Sequence, residues 1–220
     1  MSVKVKICGV RTPAIIETAA EAGADFIGLV FFSKSPRYVT LEQARALAGA
    51  AQGKIGTVAV MVDPDDAFID RVVEAVRPDL LQLHGSETPE RVASVRAHTG
   101  LLVMKAVAVA EAGDAAEAKA YGGSADYILF DAKASPEATL PGGNGVAFDW
   151  KALRGLKPPF ALSGGLTPEN VGEAIGLTGA TLVDVSSGVE SGPGEKDASL
   201  VRRFIQAAKA ATPLPRAKAS

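Results

Sequence analysis

Val3-Lys4-Val5-Lys6-Ile7-Cys8-Gly9-Val10-Arg11-Thr12-Pro13 decides how the chain is read. Its first residues alternate apolar and polar, the period-2 pattern of a strand with one face on a core. Gly9 interrupts the strand. Thr12-Pro13 then opens a helix, with Thr as N-cap and Pro in the first turn. Val3, Val5 and Ile7 make the apolar face, while Lys4, Lys6 and Cys8 share the other. Cys8 stands at the strand's carboxyl end, where parallel α/β folds collect their reactive groups. It is the chain's one cysteine, so it has no intramolecular disulfide partner. A lone thiol is either a small buried hydrophobe or a reactive group.

The same strand–helix alternation runs along the chain. Strands are expected at Val3–Ile7, Phe26–Phe31, Thr57–Val62, Leu80–His84, Leu101–Val107, Tyr127–Asp131, Phe160–Leu162 and Leu182–Val185. Helical spacing appears at Pro13–Ala22, Leu41–Ala51, Ala67–Val76, Pro89–His98, Ala110–Ala120, Pro168–Ile175 and Ala198–Ala211. Thr12, Thr40, Thr88 and Thr167 are the expected N-caps. Strict alternation argues for a parallel sheet. Eight strands without an early G-x-G-x-x-G favour a closed barrel over an open doubly wound sheet. The expected fold is therefore a single-domain (β/α)8 TIM barrel over residues 1–211, with 212–220 as a disordered tail. The loop Ala132–Val146 is long enough to suggest a functional role.

Composition narrows the function. The chain has 220 residues, 47% of them hydrophobic, and a formal net charge of −2. That charge gives no footprint for nucleic acid or an anionic membrane. No apolar run reaches membrane-spanning length, and the chain opens directly into a strand. A cytoplasmic protein is expected. Two histidines and one cysteine argue against a zinc site. The sequence leaves monomer and homodimer open.

Strand parity gathers the polar groups. The outer face of a barrel packs on helices and must be apolar, so Cys8, His84, Asp131 and Asp184 point to the inside near the upper rim. Lys6, one pleat below Cys8, either favours the thiolate or pairs with Asp184. Asp131 ends the apolar strand Tyr127–Phe130. A carboxylate so placed is partly desolvated, which suits it to general acid work. His84 is either a base or a hydrogen-bonded packing residue. Arg37 follows Pro36 after the second strand. Its guanidinium suits a substrate carboxylate, the alternative being a solvated surface arginine. Gly164-Gly165 and Ser187-Gly188 lie in turns after strands seven and eight, the usual phosphate seat of such barrels. Glycines there let backbone N–H groups reach an anion. A phosphorylated small molecule is the natural ligand.

These residues resemble the phosphoribosylanthranilate isomerase family of tryptophan biosynthesis. The likeness rests on VKICG at Val5–Gly9, GLVFFSKSPRYV at Gly28–Val39 and QLHGSE at Gln82–Glu87. It continues in FDA after strand six, GGNGVAFDW at Gly142–Trp150, LSGGLTPENV at Leu162–Val171 and VDVSSGVE at Val183–Glu190. It implies a cofactor-free Amadori rearrangement of N-(5-phospho-β-D-ribosyl)anthranilate, with Cys8 as general base and Asp131 as general acid. It implies that Arg37 holds the anthranilate carboxylate and that the glycine turns hold the phosphate. Gly142, Gly143, Gly164, Gly165, Ser187 and Gly188 are the candidates there. His84 and Asp184 complete the candidate substrate-binding set. Arg11-Thr12 and Asn144 depart from the family pattern and bear on loop geometry. Competing readings are another phosphosugar barrel enzyme, such as a ribulose-phosphate epimerase or the histidine-pathway isomerase, and a non-catalytic phosphate-binding barrel.

Overall fold

The computed structural model describes residues 2–133, 149–153, 156 and 159–211. Gly142, Gly143, Asn144 and the tail 212–220 lie outside the described residues. Eight parallel strands close into a barrel in chain order. They are β1 (Lys4–Cys8), β2 (Phe26–Val30), β3 (Gly56–Met61), β4 (Leu80–Leu83), β5 (Leu102–Val109), β6 (Tyr127–Ala132), β7 (Ala161–Leu162) and β8 (Leu182–Val185). The seam is the β1–β8 pairing, with Lys6 opposite Asp184. On its other side β1 pairs with β2, setting Cys8 opposite Gly28.

Helices wrap the outside: α1 (Pro13–Glu21), α2 (Leu41–Ala51), α3 (Asp66–Val76), α4 (Pro89–Thr99), α5 (Ala112–Glu117), α6 (Val171–Thr178) and α7 (Ala198–Ala210). Among the described residues no helix is long and apolar enough to cross a membrane. The alternation in each strand sorts side chains into two cores. Val5, Ile7, Ile27, Leu83 and Val183 join helix residues such as Ile16 and Phe204 in the outer layer. Val30, Val58, Leu80, Met104, Leu129 and Leu182 fill the barrel itself.

Thr40 and Thr88 cap as expected. Thr40 makes a capping box with Gln43, and the Thr88 hydroxyl accepts from Arg91 N. Thr12 makes no side-chain capping bond. Thr167 does not cap either. Its N–H donates to Asn170 Oδ1 at 2.7 Å and its hydroxyl accepts from Glu169 N at 3.2 Å. This local side-chain bonding holds residues 168–170 as a turn, and α6 starts only at Val171. The expected helix at Ala110–Ala120 is shorter. It tightens into a 3-10 turn, Ala118–Tyr121, before Gly122-Gly123. A hairpin after β8 was not expected from sequence. β9 (Glu190–Gly192) pairs antiparallel with β10 (Glu195–Lys196), and Lys196 faces Glu190.

Candidate active site

One half of the barrel mouth is built on β1 and its two neighbours. Lys6 is fully buried and its Nζ donates to Asp184 Oδ1 at 2.9 Å. Burial pulls the Lys6 pKa down, but Asp184 and then Cys8 oppose it, and the net movement is upward. Cys8, 8% exposed, shares the same ammonium. A side chain on Gly28 would place its Cβ 2.9 Å from Cys8 Sγ and 3.1 Å from Lys6 Nζ. Glycine is required there because the thiol and the ammonium already fill the space. Burial pushes the Cys8 thiol up. Lys6 works against that rise, Asp184 reinforces it, and the net movement is upward. The free site therefore holds Cys8 as a thiol near neutral pH, with a cation beside it for the thiolate.

The other half lies on β4–β6. Asp131 is 4% exposed and accepts from Ala132 N at 2.9 Å through Oδ1. Its Oδ2 lies 3.1 Å from His84 Nε2, and His84 Nδ1 lies 2.8 Å from Gln82 Nε2. An amide nitrogen donates, so Nδ1 accepts and Nε2–H donates to Asp131. Above them opens a cavity of about 330 Å³, walled by Val62, Ala106 and Ala108 and edged by Asp63, His84 and Asp131. The wall is apolar and the reactive edge is polar, which is the usual make-up of a small-molecule site. Behind it, Asp63 sits at φ 44°, and its carboxylate accepts from Ser86 N at 2.7 Å. Glu87 accepts from Gly85 N and from buried Lys105, whose Nζ is 2.9 Å away. These pairs fix the loop that carries His84.

Arg37 is not a solvated surface residue. It is 6% exposed and forks Glu190, with Nε and Nη2 each 2.8 Å from a carboxylate oxygen. Lys196 donates to the same carboxylate at 2.6 Å and to Ser186 O at 3.0 Å. Burial raises the Glu190 pKa, but Arg37 and Lys196 outweigh it and hold the carboxyl at about 2. Burial lowers the Lys196 pKa, with Glu190 opposing, and the net movement is downward. Two glycines permit this close packing. Gly9, at φ 75°, lies under the Arg37 side chain, and Gly194, at φ 82°, lies against Pro36 O.

The two late turns touch. A Cβ on Gly188 would fall 1.9 Å from Leu166 O, so the turn after β8 lies directly on the turn after β7. Gly164 and Gly165 take φ of 86° and 65°. Among the described residues, the backbone N–H groups of Gly164, Gly165, Ser187 and Gly188 meet no protein acceptor. Four unmatched donors on two touching, partly exposed turns are hydrogen-bonding groups of the kind that suits an anion.

Parity thus brought Cys8, His84, Asp131 and Asp184 to the inner face, as the sequence implied. Lys6 does both things the sequence allowed: it pairs with Asp184 and stands beside Cys8. Gly142 and Gly143 lie outside the described residues. Sequence reading missed Glu190 and Lys196. The Gly192-Pro193-Gly194 turn between them was the available signal, since such dipeptides reverse the chain. It also missed Gln82 as a partner of His84, although both share one strand phase.

Acid–base enzymes built on (β/α)8 barrels are the class to which such a mouth belongs, with a thiol and a carboxylate facing inward from different strands. Comparison with known proteins narrows the class. Residues 5–207 match the family model for N-(5'phosphoribosyl)anthranilate (PRA) isomerase. A protein of Parvibaculum lavamentivorans named N-(5'-phosphoribosyl)anthranilate isomerase is 54% identical over 215 residues, covering 96% of this chain and 100% of that one. A crystal structure of phosphoribosyl anthranilate isomerase with reduced 1-(o-carboxyphenylamino)-1-deoxyribulose 5-phosphate aligns at TM-score 0.82. It is 36% identical and covers 94% of this chain and 98% of that one. A Thermotoga maritima structure, described as monomers generated from a dimeric phosphoribosylanthranilate isomerase, aligns at TM-score 0.81. It is 37% identical, with the same two coverages of 94% and 98%. The chain belongs to the N-(5'-phosphoribosyl)anthranilate isomerase family. It is an enzyme of tryptophan biosynthesis.

Proposed function

We propose that Cys8 and Asp131 carry the rearrangement of N-(5-phospho-β-D-ribosyl)anthranilate to 1-(2-carboxyphenylamino)-1-deoxy-D-ribulose 5-phosphate. Asp131 donates a proton to the furanose ring oxygen, and the C1–O bond breaks to leave a protonated Schiff base. Cys8 first loses its thiol proton to solvent; the resulting thiolate, with Lys6 as counter-charge, takes the C2 proton and returns to the thiol. The electron pair of that C–H bond neutralises the iminium and leaves an enolamine, which tautomerises to the amino ketone. The turns after β7 and β8 hold the phosphate through backbone N–H groups. Arg37 receives the anthranilate carboxylate beside Glu190. Asp184 acts through Lys6. His84 acts on the acid. Anchoring both substrate ends fixes the reacting carbon between thiol and carboxyl.

One observation carries this reading: the buried thiol and its ammonium on β1 share the inner face with a carboxyl that edges a small cavity on β6. Every group named comes from one chain, so either a monomer or a homodimer accommodates the chemistry. A reducing cytoplasm suits a free catalytic thiol. The test is turnover of enzymatically generated phosphoribosylanthranilate by folded Cys8→Ala and Asp131→Asn. Loss of a positioned base or acid costs about 10²–10⁴-fold. Near wild-type kcat in either variant removes that residue from the mechanism.

A further inference from the structure

Gln82 is fully buried inside the barrel, and its amide is only half satisfied. Nε2 donates to His84 Nδ1 at 2.8 Å, while Oε1 meets no partner. A buried amide oxygen left unpaired is rare and costly. A half-turn of this amide exchanges its oxygen and nitrogen with little change of shape. The orphan oxygen then faces His84 Nδ1 and accepts a hydrogen bond from its N–H. The two settings have opposite consequences one residue further along. With the nitrogen toward His84, the ring carries its hydrogen on Nε2 and donates to an ionised Asp131. With the oxygen toward His84, Nδ1 carries the hydrogen, Nε2 is bare, and the Asp131 carboxyl donates to it.

We infer that Gln82 is a positioning residue whose buried amide, acting through His84, decides whether Asp131 holds the proton it must donate. The inference rests on the reading of Asp131 as general acid. The proton count closes. One proton enters at Nδ1, the Nε2 hydrogen passes along the 3.1 Å bond to Asp131 Oδ2, and the ring stays neutral. The site thereby goes from one negative charge to none. This arrangement gives the orphan oxygen a purpose: it is the acceptor used only in the loaded state. The charged groups around the relay are Asp63 on the cavity edge, held by Ser86, and the Lys105–Glu87 pair behind Gly85. Beyond Asp131 lies the Lys133–Asp114 pair. Each has a partner of its own. Across the mouth, Lys6, Cys8 and Asp184 form a separate group.

Two variants and one spectrum test it. Gln82→Met keeps the length and removes both polar groups, so nothing receives an Nδ1 hydrogen. Its kcat should fall about 10- to 100-fold with KM nearly unchanged, and the limb of the pH–rate profile that tracks Asp131 should move to lower pH. Gln82→Glu supplies oxygens only. It should recover most of the kcat and move the same limb to higher pH. Equal losses in both variants with no movement of that limb would reduce Gln82 to a packing residue. The spectrum needs no variant at Gln82. In protein labelled with nitrogen-15 histidine, His84 is distinguished from His98 by a His98→Gln control. It should change from the Nε2–H to the Nδ1–H neutral tautomer as pH is lowered. A ring that goes directly from Nε2–H to the imidazolium overturns the inference. Failure of Asp131 as the acid is a separate outcome, read from undiminished turnover in Asp131→Asn.

Discussion

Asp184→Asn should weaken the fold and sharpen the thiol at the same time. Lys6 is fully buried, and the Asp184 side chain that faces it at 2.9 Å is 4% exposed. At an effective dielectric constant of about 20, unit charges at that separation attract by roughly 6 kcal/mol. Removing one partner of a buried pair costs about 3–5 kcal/mol, because the other charge stays behind in a dry site. A domain of ordinary stability, about 5–15 kcal/mol, loses a large share of its margin. The second effect has the opposite sign for chemistry. Asp184 pushes the Cys8 pKa up and competes for the Lys6 ammonium, which favours the thiolate more strongly than Lys196 does. Without it, Lys6 has only Cys8 to serve, and the thiol titrates at lower pH. The stability loss should then shrink with rising pH, as the thiolate takes over the role of counter-charge. In the parent the sign is reversed. The folded Cys8 pKa is raised, so stability is full below the ordinary thiol pKa and falls as pH rises through the raised one. Urea melts across the alkaline range give the first quantity. Alkylation rate of Cys8 against pH gives the second. A folded Asp184→Asn protein whose thiol titrates at or above the parent's pH would refute the shared-ammonium argument.

Three further outcomes follow from the geometry. Gly188→Ala puts a methyl where Leu166 O lies 1.9 Å away. The two turns must part by about 1 Å, and kcat/KM should drop about 10²-fold, with a dephosphorylated product analogue binding both proteins alike. Arg37→Ala should weaken product binding about ten- to hundredfold, the worth of a charge-assisted bond. Calorimetry with an analogue lacking the carboxylate should show no such difference. Glu190 is ionised down to about pH 2, against an ordinary value of 4.5. It should therefore contribute about 3 kcal/mol that is present above pH 4.5 and lost as pH falls toward 2. Acid unfolding of Glu190→Gln should lack that component, and an unchanged acid profile would show the carboxyl to be unshifted.

The barrel was legible because its signal is local and repeated. Each strand declares its two faces by alternation, so β1 could assign Cys8 and Lys6 to the inside from residues 3–8 alone. The same reasoning placed Asp131 through Leu129, and His84 through Gln82. Thr40 and Thr88 cap because each hydroxyl accepts from the N–H three residues on, at Gln43 and Arg91. Thr167 does not, because its hydroxyl accepts from Glu169 N only two residues on and the helix starts later, at Val171. The Arg37–Glu190–Lys196 group was hidden for a different reason. β9 and β10 have three and two residues, too few for any period to show. The partners Arg37 and Glu190 lie 153 positions apart. Sequence alone assigned Arg37 a carboxylate. The structure supplies one from within the chain, the carboxylate of Glu190.

The seam between β1 and β8 also governs when this enzyme can exist during its own synthesis. Lys6 meets Asp184 across 178 positions, Ser186 reaches the Cys8 carbonyl across 178, and Lys209 closes on Asp25 across 184. Contacts of such separation carry the largest loop-closure cost and form late. Cys8 and Lys6 leave the ribosome long before Asp184, so the thiol is made well ahead of its electrostatic setting. A chain released short of β8 would hold Lys6 without its carboxylate and an unclosed barrel, so its thiol would be exposed to adventitious oxidation. The electrostatic setting of Cys8 and the closure of the barrel thus both wait for β8.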